Sequence, residues 1–148
     1  AILTKFDLDN AVNYHLLLLA VAAFDNWRHN YFLVQNNFDP FFFIPWDLDD
    51  AFRQIDHIPG NFVIDRLLAY PFYIQKLKNK WSILKQSALH YESVYEVFKT
   101  YYDPLLQSNA YKRNANRWAA YDHEAWLIEL EAWLEKRHAL IDEYIDSL

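Results

Sequence analysis

Apolar residues near the start of the chain recur every three or four positions. They are Leu8, Val12, Leu16, Leu19 and Ala23. This spacing predicts a helix over residues 8–24, and either Asp7 or Asp9 can cap the free amides of its first turn. The predicted helix is apolar on nearly every face, so we expect it to lie at the centre of the fold.

Two short β-prone runs follow the polar stretch 25–30. Residues 31–34 have the sequence YFLV and residues 41–46 have FFFIPW, with Asn, Asp and Pro between them. This pattern predicts a β-hairpin. The next stretch, 47–60, contains four aspartates and the single glycine of the chain without any periodicity, which indicates a functional loop.

After this loop the apolar spacing is helical to the end of the chain. The predicted helices cover residues 61–69, 71–88, 91–102, 109–119 and 123–146. Their breaks are Pro71, His90, Asp103–Pro104 and Tyr121–Asp122. The last helix carries an apolar stripe that we expect to pack against the rest. Its members are Trp126, Leu130, Trp133, Leu134, Leu140, Ile141, Tyr144 and Ile145. No second domain boundary is visible, so we predict a single domain over 1–148.

The composition limits the classes of function. Of 148 residues, 53% are hydrophobic and 23% charged, which is typical of a globular domain. The net charge of -6 argues against nucleic acid as a partner, because phosphate contacts need clustered Lys and Arg. The chain has no cysteine, which excludes disulfides and thiolate metal sites. The longest apolar run, residues 16–24, is far shorter than the roughly 20 residues of a membrane-spanning helix, so we expect no transmembrane segment.

Three polar residues around the hairpin follow the order that phosphoryl transfer requires. Asp25 and Asn30 form a DxxxxN pattern, and Asp47 follows the predicted second strand. A kinase uses a carboxylate to accept the proton of the acceptor hydroxyl, an Asn five residues later to hold a metal, and an Asp beyond a short hairpin to hold metal ions at the phosphates. Within the same loop, Arg28 and His29 are candidates for contacting substrate or for positioning the loop.

Simpler interpretations remain open for the same residues. Asp25 fits an ordinary solvated loop, and the carboxylates of Asp47, Asp49 and Asp50 fit a solvated acidic turn, although they repel each other unless a cation lies among them. Further along the loop, Asp56 and His57 are either extra ligands or surface residues.

The segment Ile44 to Phe52, IPWDLDDAF, resembles the CotH family of kinase-like spore-coat and surface proteins. The closing segment is similar too, with a Trp after Arg117 and a WLxxR pattern that ends at Arg137. The resemblance implies a mainly α chain with a short β-hairpin, the C-terminal lobe of an atypical protein-kinase-like fold. It also implies ATP and Mg²⁺ or Mn²⁺ as cofactors. We expect the N-terminal lobe to be missing from this chain, which lacks Met and so fits a piece of a longer protein that is inactive alone.

The same resemblance implies roles for individual residues. Asp25 matches the catalytic aspartate, Asn30 a metal-binding Asn and Asp47 a metal-binding Asp. Asp49 either binds a second metal or is itself the equivalent of that Asp. The chain has no HRD and no glycine after Asp47, so its match to ordinary protein kinases is one of functional order only.

The expected function is metal-dependent transfer of the ATP γ-phosphoryl group to Ser or Thr hydroxyls of a protein substrate. Family resemblance alone suggests a coat or surface protein as substrate, and an extracytoplasmic location at the cell surface or spore coat. The main alternative is a non-catalytic surface or spore-coat module for assembly or adhesion, with a vestigial metal site. A third hypothesis is a metal-dependent phosphohydrolase.

Overall fold

The structure of the chain, a computed structural model, describes residues 2–37, 39–58, 61–118 and 123–148. Of His123, Glu124 and Trp126 it describes only the backbone. The side chain of Trp126 and the predicted break at Tyr121–Asp122 therefore lie outside the described residues.

The central helix, α1, spans Leu8–Val21. The carboxylate of Asp7 caps it by accepting the amide of Asn10 at 3.0 Å, one of the two predicted caps. The helix ends three residues earlier than the sequence predicts, because Ala22 adopts the left-handed conformation with φ 48° and its amide bonds back to carbonyls of the last turn.

The predicted hairpin is confirmed. Strands β1, Tyr31–Val34, and β2, Phe42–Pro45, pair antiparallel, with Phe32 opposite Ile44. The side-chain amide of Asn10 on α1 bonds both backbone groups of Phe43. Its Nδ2 donates to the Phe43 carbonyl at 3.1 Å, and its Oδ1 accepts the Phe43 backbone amide at 2.7 Å. One side chain of α1 thus satisfies β2 and fixes the hairpin against the helix.

Five helices complete the described fold. They are α2, Phe62–Leu68; α3, Pro71–Leu84; α4, Tyr91–Gln107; α5, Ala110–Trp118; and α6, His123–Ser147. The architecture is therefore mainly α with one short hairpin, as predicted. No helix in the described parts of the chain is long and apolar enough to cross a membrane.

Two further predicted helix boundaries, besides the end of α1, are wrong. The expected break at Asp103–Pro104 does not occur, and α4 continues through Pro104 to Gln107. Proline removes one helical hydrogen bond, but Tyr102 is buried just before it, with its ring 4.9 Å from that of Tyr111 on α5, and the helix continues to Gln107. The predicted helix 71–88 ends at Leu84, where a series of turns begins.

The core surrounds α1. Its buried residues are Ala11, Val12, Tyr14, Leu16, Leu18 and Leu19 of α1, Ala23, Trp27, Phe43, Ile64, Leu67, Tyr73, Leu77 and Trp81 of the neighbouring segments, and Ile141 and Ile145 of α6. The central position of α1 is therefore confirmed. On the predicted stripe of α6, Leu130, Leu134, Ile141 and Ile145 are buried. The hairpin and the polar segments at its two ends lie beside this core.

Candidate functional site

The segment from Asp25 to Asn30 folds into a tight turn. Asp25 begins a 3-10 turn that ends at Trp27. The main-chain carbonyl of Asp25 accepts the amides of Arg28, His29 and Asn30 at 3.1, 2.9 and 3.3 Å. Asp25 is half-buried, whereas Arg28 and His29 are exposed. We call this segment the DxxxxN turn; it follows the end of α1 at Val21 and is not a continuation of that helix.

A buried asparagine bonds the DxxxxN turn to the end of β2. Asn26 is 1% exposed, and its Nδ2 donates to the carbonyls of Asn30 at 2.7 Å and Trp46 at 2.6 Å. The carbonyl of Asn26 accepts the hydroxyl of Tyr14 on α1. Helix, turn and strand end are therefore joined at one residue.

The structure brings Asn30 and Asp47 together. The amide of Trp46 donates to the Asn30 carbonyl at 2.9 Å, and Nδ2 of Asn30 donates to the Asp47 carbonyl at 3.3 Å. Asp47 has φ 52°, a left-handed conformation that Asp tolerates better than most residues. It turns the chain at the point where β2 has ended. The side chains of Asp47 and Asp49 are both exposed.

Residues 47–58, which we call the acidic loop, contain turns and no helix or strand. The amide of Phe52 donates to the carbonyl of Val21 at the end of α1, at 2.7 Å. Asp50 differs from the two aspartates before it, because Arg53 pairs with its carboxylate at 2.8 Å. The predicted loop is confirmed over the described residues.

The two residues considered as extra ligands have other neighbours. Asp56 is exposed and lies 3.7 Å from Nζ of Lys136 on α6. The ring of His57 packs against Phe24 with 4.5 Å between centroids. Burial, with the charges of Arg137 and Arg28, lowers the pKa of His57, so the imidazole is favoured in its neutral form.

The acidic residues do not form a closed metal cage. Among the residues that the structure describes, no group of three or more His, Asp or Glu side chains could hold a metal ion by itself. The candidate ligand set, Asp47, Asp49 and Asn30, is open to solvent: both carboxylates are exposed, and the side chain of Asn30 bonds the main-chain carbonyl of Asp47.

An exposed aromatic pair lies next to this ligand set. Phe32 on β1 and Trp46 after β2 are 53% and 62% exposed, and their ring centroids are 6.0 Å apart. Asn30 lies two residues before Phe32, and Asp47 directly follows Trp46. The sequence analysis assigned no function to this pair.

Three buried polar residues that support the site also received no role from the sequence. Asn26 bonds the turn to the strand end, and Asn61 donates its Nδ2 to the carbonyl of Trp27 while its Oδ1 caps α2. Arg137 bonds the carbonyls of Leu19 and Ile55. The partners of all three are backbone groups, which no sequence motif identifies. Arg137 alone belongs to a pattern noted in the sequence, WLxxR.

Comparison with known proteins gives one match. A family model described as CotH kinase protein matches residues 1–141. Neither a curated protein nor a solved structure matches the chain.

Proposed function

The chain belongs to the CotH family, and on this premise we propose that it is the C-terminal lobe of a kinase-like fold. The complete protein transfers the γ-phosphoryl group of ATP to Ser or Thr hydroxyls of a protein, with Mg²⁺ or Mn²⁺. The observation that supports this best is the hydrogen bonding that joins the DxxxxN turn to Asp47, through Nδ2 of Asn30 and Nδ2 of Asn26. A kinase needs these two segments at one place.

The ligand chemistry fits a divalent metal that phosphates share. Mg²⁺ prefers oxygen ligands and is usually held by one or two carboxylates together with substrate phosphates, not by an all-protein cage. Asn30, Asp47 and Asp49 supply such an open set, consistent with the absence of a closed cluster among the described residues. When bound, the metal neutralises the charge of the phosphates.

Asp25 would act on the acceptor. It begins the DxxxxN turn and is half-buried. Because the backbone of this turn is held by hydrogen bonds, the Asp25 carboxylate would be well placed to orient a hydroxyl and to accept its proton. Arg28 and His29 are exposed on the same turn and are available to contact the acceptor.

The exposed rings of Phe32 and Trp46 fit the base of a nucleotide. A base stacks favourably on aromatic side chains, at about 1–3 kcal/mol per base. This surface adjoins the proposed metal ligands along the chain, as a nucleotide with metal-bound phosphates requires. A spore-coat or surface protein as acceptor, and an extracytoplasmic location, rest on family membership alone.

The test compares three variants of the complete protein in a phosphoryl-transfer assay with Mn²⁺ and labelled ATP. We expect D25N to lower transfer by about 10²–10⁴-fold, the range for loss of a general base, while retaining Mn–ATP binding. We expect D47N to lose both transfer and binding. D39N makes the same chemical change at an exposed position in the hairpin turn and should leave both unchanged.

The outcomes separate this proposal from its alternatives. Wild-type transfer in either D25N or D47N would overturn the kinase assignment. A thermal shift with Ca²⁺ but none with Mn–ATP would favour a non-catalytic surface module. Release of inorganic phosphate without labelling of an acceptor would indicate a phosphohydrolase.

A further inference from the structure

Arg137 on α6 is buried although it is charged. It is 1% exposed, and no other Lys, Arg, Asp or Glu among the described residues is buried. Burial lowers the pKa of its guanidinium to about 10, and the charge of Asp56 acts in the opposite direction, so Arg137 keeps its proton at neutral pH. A buried cation is costly unless hydrogen bonds compensate it.

The guanidinium bonds two carbonyls that are far apart in sequence. Nε donates to Leu19 at 2.7 Å and Nη1 donates to Ile55 at 2.6 Å. Leu19 lies in the last turn of α1, where carbonyls carry partial negative charge, and its carbonyl also accepts the Ala22 amide at 3.4 Å. Ile55 lies in the acidic loop. One rigid group on α6 therefore holds the end of α1 and the acidic loop at a fixed separation.

Those two segments lead directly to the proposed site. After Leu19, α1 ends at Val21 and the chain enters the DxxxxN turn at Asp25. Ile55 lies in the same loop as Asp47 and Asp49. The bond from the Phe52 amide to Val21 joins the same loop to the same helix end.

The bonding is not complete, which argues for a role beyond stability. Nη2 of Arg137 is buried without a hydrogen-bond partner among the described residues. Buried charges are often replaced by apolar side chains without loss of stability, and their attested use is to specify one arrangement of the chain. The bonds to Leu19 and Ile55 specify such an arrangement here.

We infer that Arg137 is a positioning residue for the proposed phosphoryl-transfer site, fixing the acidic loop against the end of α1 so that Asp47 stays beside the DxxxxN turn. The inference rests on the proposed function. It assigns to the closing helix a part in that function although α6 contributes none of the proposed ligands.

The experiment compares R137M and R137K with K136M in the complete protein. Methionine keeps the length of the side chain and removes every donor, whereas lysine keeps the charge and can reach one carbonyl at a time. Lys136 is the matched control, because it is the adjacent cation on α6 and contacts the same loop through exposed Asp56. Two quantities are measured: Mn–ATP affinity, and hydrogen exchange of the acidic-loop amides, above all that of Phe52.

We expect R137M to weaken Mn–ATP binding at least tenfold and to accelerate exchange in the acidic loop at a temperature where α1 and α3 stay protected. R137K should recover part of both, and K136M should match the wild type. If circular dichroism shows that R137M does not fold, R137K is compared with K136M instead, and R137K alone should show weaker Mn–ATP binding and faster acidic-loop exchange.

The outcomes distinguish this inference from the proposed function. Failure of the wild type itself to bind Mn–ATP would reject the proposed function, and loop exchange would still test the positioning. Wild-type affinity and loop exchange in both Arg137 variants would overturn the inference alone. So would a lower melting temperature with exchange accelerated equally over the whole chain, since that is the result for a purely structural arginine.

Discussion

At the scale of single residues, the site depends on amide side chains more than on carboxylates. The two Nδ2 hydrogens of Asn26 satisfy one carbonyl of the DxxxxN turn and one at the end of β2. A carboxylate in the same place would offer only acceptors to these two acceptors. The residue that joins the two segments therefore has to be a donor, and it has to be short enough to lie between them.

This predicts that N26D destabilises the protein. The substitution keeps the shape of the side chain but removes both donors and sets a buried carboxylate against two carbonyl oxygens, so we expect the free energy of unfolding to fall by about 2–3 kcal/mol. Urea denaturation measures the change. N36D, at an exposed position in the hairpin turn, should stay within about 0.5 kcal/mol of the wild type. Equal losses in the two variants would contradict the role of Asn26.

At the scale of elements, the short helix α2 is tied to the site by its cap. Asn61 accepts the amides of Val63 at 2.9 Å and Ile64 at 3.3 Å, and its Nδ2 donates to the carbonyl of Trp27 in the DxxxxN turn. α2 has only seven residues, so it depends on its cap and on packing more than on its own propensity.

Two substitutions separate the functions of this cap. N61A should cost about 2 kcal/mol, about half for the cap and half for the bond to Trp27. N61D keeps the accepting oxygen of the cap but replaces the donor by a carboxylate oxygen that faces the Trp27 carbonyl, so it should cost about 1–3 kcal/mol. Urea denaturation of both gives the difference directly. An N61D protein as stable as the wild type would show that the bond to Trp27 contributes nothing.

The elements themselves could largely be predicted from the sequence, whereas the bonds that join them could not. The apolar period of α1 and the two β-prone runs with turn residues between them are local patterns, so the helix and the hairpin were both predicted correctly. The prediction of a break at Asp103–Pro104 was wrong because the burial of Tyr102 depends on packing, including its contact with Tyr111 of α5, that the local pattern does not show. The site order was visible in Asp25, Asn30 and Asp47. The roles of Asn26, Asn61 and Arg137 as supports were not visible, although Arg137 ends the WLxxR pattern, since each donates to backbone carbonyls that only folding brings close.

At the scale of the whole molecule, His15 lies where the main elements meet. Its ring, on α1, has centroid distances of 5.4 Å to Trp27 of the DxxxxN turn, 6.3 Å to Tyr73 on α3 and 6.2 Å to Tyr144 on α6. Nδ1 lies 3.3 Å from the hydroxyl of Tyr73. Complete burial lowers the pKa of His15 to about 3, so the folded core contains the neutral imidazole.

The buried imidazole predicts that mild acid destabilises the fold. An unfolded chain protonates His15 near its ordinary pKa of about 6.5, whereas the folded chain does not until about 3. Between these values the unfolded state binds more protons, so the free energy of unfolding decreases as pH falls, by at most about 1.4 kcal/mol per pH unit for this residue. His57, with its lowered pKa, adds to the slope with the same sign. The free energy of unfolding, measured by urea denaturation between pH 7 and 5, should therefore depend less steeply on pH in H15Q than in the wild type. Identical slopes in H15Q and the wild type would mean that His15 does not control the acid sensitivity of the core.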